Sequence, residues 1–246
     1  MRTVQLFLKK LSKTLNWYHL IFIVFVFILI IFFLISKYPN YLILKILYST
    51  GRIFFISLIS LFFALLIGIF LSNIYLFTSL KIVKTMLDII FIIPFFLYGV
   101  LYLTIFSPVG IKDFIILFSL LISYSFFNKI TEKVEELNKE KFITHLRSID
   151  ISYFRIFLKH ILPMVSLPLI VSFIEYISFI ISFEFIISIT NIIKPFNSDI
   201  NLGTIGYSAI TSNNYPLILI ILLFFTLLTL EINYVVYNIR EILNKL

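Results

Sequence analysis

The sequence predicts an all-helical bundle that crosses a membrane about six times. Three observations predict it. Of the 246 residues, 61% are hydrophobic, and the mean hydropathy is +1.10. Only 13% are charged, against about a quarter in soluble domains, so lipid must form part of the solvent. The apolar residues also fall into six runs, each long enough for a crossing of roughly 20 residues or a little fewer.

The runs are about 17–36, 52–77, 85–106, 111–127, 161–193 and 214–237. The first follows Arg2, Lys9, Lys10 and Lys13. It is too long for a signal-peptide core, and no small-x-small site follows it, so it reads as a retained first span. Residues 1–50 are expected to hold an N-terminal cytoplasmic segment, that span and a short external loop. Residues 51–246 then form the transmembrane core. The fourth run is short. The fifth is long enough to tilt, or to break near Pro168.

Orientation follows from the placement of Lys and Arg. With the N-terminus inside, the inner segments hold fifteen of the 20 basic residues: four at the N-terminus, Lys81 and Lys84, seven in 128–160, and Arg240 and Lys245. The outer segments hold five: Lys37, Lys45, Arg52, Lys112 and Lys194. Both termini are therefore expected in the cytoplasm of a multi-pass inner-membrane protein. The net charge of +8 is explained by this bias, without nucleic acid as a partner.

The only sizeable inner loop is 128–160. Glu132, Glu135, Glu136, Lys139 and Glu140 lie at helical spacings and form a solvated face. After Asp150 the pattern changes. Ile151, Phe154, Ile156 and Phe157 alternate with Arg155, Lys159 and His160, which predicts a short amphipathic helix leading into the membrane.

Several classes of chemistry are excluded. There are no cysteines, hence no disulfide, thiolate metal site or cysteine nucleophile. His19, His145 and His160 do not share a helical turn, so no metal site is expected. No phosphate-binding glycine loop occurs, so any ATP binds elsewhere and the chain needs no cofactor of its own. The polar residues are too scattered for a lipid-modifying active site. The chain is not expected to be an enzyme.

Polar groups inside the spans are expensive in lipid and face protein or water. In the fifth run, Ser172, Glu175, Ser178 or Phe179, and Ser182 share a face, with Glu184 just beyond. They read either as a wall of a translocation path or as helix–helix hydrogen bonding by small polar residues. The path reading suits Glu175 and Glu184 better, because buried carboxylates are costly. Glu231 is a similar case or lies near the inner interface.

Two gapless patterns carry a family resemblance. Phe142, Arg147, Asp150, Ser152, His160 and Pro168 fall on the aromatic, Arg, Gly, Ser, His and Pro positions of one. Gly203, Ala209-Ile210 and Tyr215-Pro216 match the other, with Asn201 and Asn214 replacing a Gly and an Asp. Asp88 and Pro94 fit a weaker pattern in the third run. The chain thereby resembles the permease subunits of ABC importers, in particular the dipeptide/oligopeptide/nickel branch.

The resemblance implies a type I importer permease fold that supplies half of a path for a small solute, with a second, homologous or identical, permease subunit. It also implies two ABC ATPase subunits that bind the ATP, and an external substrate-binding protein. It places ATPase coupling on Phe142, Arg147, Ile149, Asp150, Ile151, Ser152, Phe154 and His160, with a bend at Asp150 seated in the ATPase. Asp tolerates the left-handed conformation that the family's Gly would adopt and can cap the helix that follows. The translocation path falls to Ser172, Glu175, Ser182 and Glu184. The alternative is a secondary transporter or channel, which needs paired broken helices or an inverted repeat; neither is evident in the sequence.

The charge bias makes the topology testable, and the absence of cysteine keeps the test clean. In whole cells, an impermeant thiol reagent is expected to label Ser198→Cys and to leave Asn138→Cys unlabelled. The reverse pattern overturns the orientation.

Overall fold

The computed structural model describes residues 42–78, 81–91, 94–105, 111–139, 141–148, 151–190 and 201–244. The expected first span, 17–36, lies outside these residues. Among the described residues all regular structure is helical. The helices are α1 (Leu42–Thr78), α2 (Lys81–Ile90), α3 (Phe95–Ile105), α4 (Ile111–Lys139) and α5 (Phe142–Ser148). Next come α6 (Tyr153–Ile189), α7 (Leu202–Thr211) and α8 (Tyr215–Asn244). Four of them, α1, α4, α6 and α8, are long and apolar enough to cross a membrane.

Three boundaries differ from the sequence expectation. The third apolar run is two helices, α2 and α3. Pro94 has no N–H to donate to the carbonyl of Ile90 four residues back, so the helix stops there. That carbonyl is taken instead by the hydroxyl of Tyr98, and α3 starts with the Leu97 N–H donating to the Pro94 carbonyl at 2.9 Å. The fourth run does not end near 127. Its helix continues through the Glu- and Lys-rich stretch to Lys139, because those charges already had helical spacing. The fifth run starts earlier, at Tyr153, and passes through Pro168 without a break. Its irregularity lies upstream, in a π turn at Phe157–Ile161, where the Leu162 N–H reaches back to the Phe157 carbonyl. Pro163, which has no N–H for the carbonyl of Lys159, follows this wider turn.

By packing, the chain divides into two units. One contains the Ile59–Tyr102 and Phe114–Phe173 segments. Its core is aromatic. Phe114, Phe118, Ile122, Phe126 and Ile130 recur every four residues on one face of α4 and are fully buried. Gly68 lets α1 approach this helix closely. A β-carbon there would stand 2.7 Å from Cβ of Phe126 and 2.9 Å from the Ser123 carbonyl oxygen. Small residues at such crossings allow the dense packing that holds membrane helices together.

The other unit contains the start of α1, the α6 segment from Ile174, α7 and α8. Ile46, Phe185, Leu202, Ile205 and Ile221 form its core, and the rings of Phe185 and Phe225 stack with centroids 4.0 Å apart.

Buried hydroxyls are handled locally. Thr50 donates to the Ile46 carbonyl, Ser57 to Ile53 and Ser72 to Gly68, each at 2.7 Å. This i to i−4 bonding lets a hydroxyl sit on a buried helix face without an unmet hydrogen bond.

The close approach at Gly68 yields a stability prediction. Gly68→Ala is expected to destabilise the protein by roughly 1–3 kcal/mol through overpacking, read as a lowered midpoint of thermal unfolding in detergent micelles. An unchanged midpoint would show that α1 and α4 separate freely.

Candidate functional site

Two regions carry the residues singled out in the sequence. The first is the junction between α4 and α6. The long α4 is followed at Lys141 by a left-handed residue, φ 56°, which turns the chain into α5. The His145 N–H donates to the Lys141 carbonyl at 2.9 Å, and the Ile151 N–H to Leu146 at 3.3 Å. α5 and the first turns of α6 thus form a short helix, a break and a second helix.

Ile149, Asp150 and the side chain of Arg147 lie outside the described residues, so the expected bend falls in a two-residue gap. The N-cap of α6 is Ser152, with φ −62° and ψ 146°, and its hydroxyl makes no capping bond. The cap position therefore belongs to Ser152 and not to Asp150. Phe142 and His160 meet edge to face, ring centroids 5.8 Å apart, which ties α5 to the π turn. Ile143, Ile156 and Phe157 are buried beneath the junction, while Phe154 (59% exposed) and Leu158 stand outside. Ile151 is half-buried. Phe154 and Leu158 are one turn apart, so they present one apolar edge beside the exposed Arg155 and Lys159.

The second region surrounds α7. Asn201 is its N-cap. The Thr204 N–H donates to Asn201 Oδ1 at 2.6 Å, and the Asn201 N–H donates to Thr204 Oγ1 at 3.0 Å. This reciprocal pair is a capping box with Asn and Thr in the two roles. The Asn201 amide also donates to Ser188 Oγ on α6 at 3.0 Å. At the other end Asn213 is left-handed, φ 53°. The Asn214 N–H returns to the Ala209 carbonyl at 2.9 Å and the Asn213 N–H to Ile210 at 3.1 Å. Those two bonds make a Schellman stop, with Asn in the position that usually takes Gly. Asn214 then caps α8, its Oδ1 accepting from the Leu217 N–H at 3.3 Å. The stretch Asn213-Asn214-Tyr215-Pro216 is one helix stop followed by one helix start.

The family described as binding-protein-dependent transport system inner membrane component matches residues 64–246, well over half of the chain. The chain belongs to this family. It is the multi-pass membrane permease component of an ABC-type importer. No curated protein matches the chain significantly.

In this permease the α6 residues expected to line a path separate. Ser172 is buried and donates to the Pro168 carbonyl of its own helix at 2.9 Å. Ser182 is half-buried. Glu175 is partly exposed and forms an ion pair with Arg240 of α8. Glu184 is buried, 4% exposed. Nine residues at about 100° each place Glu175 and Glu184 on opposite sides of α6.

Three polar arrangements were not foreseen from sequence. Arg52, counted there only as an outer charge, is buried at 2% exposure, and the Asn201 cap that starts α7 is fastened to Ser188 of α6. The Asn201-x-x-Thr204 pattern was the available signal, as was an Arg at the head of an apolar run. In the other unit, Glu135 accepts from Tyr75 at 2.9 Å and from Lys84 at 2.7 Å. One turn further along α2, Asp88 accepts from Tyr124 at 2.6 Å. These two struts hold the polar side of α2 to α4, and Phe91 stacks on Tyr124 with centroids 4.2 Å apart. Asp88 and Pro94 of the weak pattern are thus a strut and a helix stop.

Lys141 is the strained point of the junction, since a side chain in the left-handed region costs about 1–2 kcal/mol. Lys141→Gly is expected to raise the unfolding midpoint in detergent, and Lys141→Val to lower it. Equal midpoints for the two variants would show that the turn is not held in this conformation.

Proposed function

We propose that the chain forms half of the solute path of an ATP-driven importer and is driven through the α5–α6 junction by a separate ATPase. The assembly has two permease subunits, this chain with an identical or homologous partner, and two ATPase subunits that bind the ATP. An external binding protein delivers the solute. The solute is small, of peptide or nickel type, in keeping with the gapless patterns from Phe142 to Pro168 and from Gly203 to Pro216. Both termini lie on the ATPase side.

The observation that carries the coupling role is the apolar edge of Phe154 and Leu158 standing outside a firmly seated junction. Exposed apolar residues on a rigid base, next to basic side chains, suit a protein partner. Interface energy concentrates in such buried anchors, whereas rim charges such as Arg155 mainly steer association. Because Ile143, Ile156 and Phe157 are packed beneath, a push on Phe154 is passed into α6 and not absorbed by a loose loop. On the path side, Ser172, Glu175 and Ser182 belong to the same helix. Glu175, partly exposed and paired with Arg240, is the group best placed to meet water.

The test is co-purification from mild detergent out of cells expressing the whole operon. An ATPase is expected to come with the wild-type chain and to crosslink to Asp150→Cys. Phe154→Ala is expected to weaken the complex about tenfold or more, or to uncouple ATP hydrolysis from uptake, with membrane insertion intact. If no ATPase co-purifies and no crosslink forms, the coupling role is wrong.

A further inference from the structure

We propose that Glu135 is a positioning residue of the transport cycle: it ties α2 to the end of α4, so that a movement of the α5–α6 junction reaches α2 as well as α6. The inference rests on the coupling role proposed above and extends it to a second helix.

α4 is the stem of the junction. It is unbroken from Ile111 to Lys139, and the left-handed turn at Lys141 leads into α5. Its packing holds to the last turns, with Ile130, Val134 and Leu137 buried, so the end of α4 moves with the helix. Glu135 lies one turn before that end. Its Oε1 accepts from the Tyr75 hydroxyl at 2.9 Å and from Lys84 Nζ at 2.7 Å. Tyr75 belongs to the last turn of α1 and Lys84 to the first turn of α2. Tyr75 is buried, its ring edge-on to Phe127 of α4 with centroids 6.0 Å apart. It holds the carboxylate in place on a helix pair already in close approach at Gly68. Lys84 is the bond that adds α2.

α2 has little else to position it. Among its described side chains none is buried, and Met86, Ile89 and Ile90 stand out. Its place is set by polar bonds to α4: Lys84 to Glu135 and, one turn on, Asp88, which accepts from Tyr124 at 2.6 Å. The later residue on α2 meets the earlier residue on α4, so the two helices run in opposite directions. Phe91, just past α2, stacks on Tyr124 with centroids 4.2 Å apart. The stop at Pro94 separates α2 from α3, so α2 follows α4 without dragging an unbroken helix behind it. The Lys84–Glu135 pair is partly exposed, at 21% and 40%, and such a pair contributes little to stability. What it contributes is direction: it decides which helix moves when α4 is pushed.

The test uses the importer purified together with its ATPase from operon-expressing cells and placed in nanodiscs, the permease having no native cysteine. A bimane probe is attached at Met86→Cys on α2 and, in a separate protein, at Met164→Cys on α6; both positions are exposed. Emission is compared without nucleotide and after trapping with ATP and vanadate. Both probes are expected to shift on trapping in the starting protein. Glu135→Ala is expected to abolish the α2 shift and keep the α6 shift, a split that a general loss of structure would not produce. Exchanging the ends of the bond, Lys84→Glu with Glu135→Lys, is expected to bring the α2 shift back. Should Glu135→Ala fail to assemble, Lys84→Met cuts the same bond from the side of α2. An α2 shift that survives in either single variant overturns the inference, as does its failure to return in the exchanged protein, or the loss of both shifts together. An α6 shift without an α2 shift in the starting protein also overturns it and leaves the coupling role standing. If neither probe shifts in the starting protein, the coupling role is wrong and the inference falls with it.

Discussion

Hydrocarbon offers no hydrogen bonds, and nearly everything about this chain is arranged around that constraint. A helix meets it by bonding its own backbone, which is why the described residues hold helices and short turns. Wherever the helix ladder fails, another group must step in. Pro94 deprives the Ile90 carbonyl of its partner, and the Tyr98 hydroxyl replaces it. Buried Ser and Thr side chains turn back on their own helices. Helix ends that would expose several orphan groups are closed by Asn201, Asn213 and Asn214. Asparagine suits all three positions because its short amide accepts from the backbone and its main chain tolerates left-handed angles.

Charges obey the same constraint more severely. Lys84 and Glu135 are paired at 2.7 Å, and Glu175 is paired with Arg240. Both pairs are partly exposed and water shares the burden, so each contributes little by itself. Arg52 and Glu184, at 2% and 4% exposure, have no such relief from water. Meanwhile α8 leaves most of its surface uncovered. Leu219, Leu223, Leu227, Leu230, Tyr234 and Tyr237 stand out from it, an apolar face compatible with lipid.

The fold class was legible because membrane helices announce themselves by length and apolarity alone, as α1, α4, α6 and α8 do. What was less legible were their ends. The stop at Pro94 was visible as a proline but was outweighed by the continuous apolar run around it. The extension of α4 to Lys139 was visible as helical charge spacing but was assigned to a separate loop. At the junction, Phe142, Phe154 and His160 stand out by pattern in the sequence, while the ring contact that joins Phe142 to His160 is visible only in the fold. Pairs such as Tyr75 with Glu135, 60 residues apart, leave no mark in a single sequence. Arg52 escaped notice for another reason: charge counting treats a basic residue as a topology marker and does not ask what neutralises it.

The π turn at Phe157–Ile161 has a mechanical consequence. A π turn stores one residue more than an α turn over nearly the same rise. If that surplus moves along the helix by one position, the residue it passes rotates by about 100° while the ladder on either side stays intact. Such a slip exchanges hydrogen-bond partners without melting the helix. Phe154 lies on one side of the surplus and Ser172 on the other. A one-residue slip between them would turn one part of α6 against the other by about 100°, which couples an axial push to a twist.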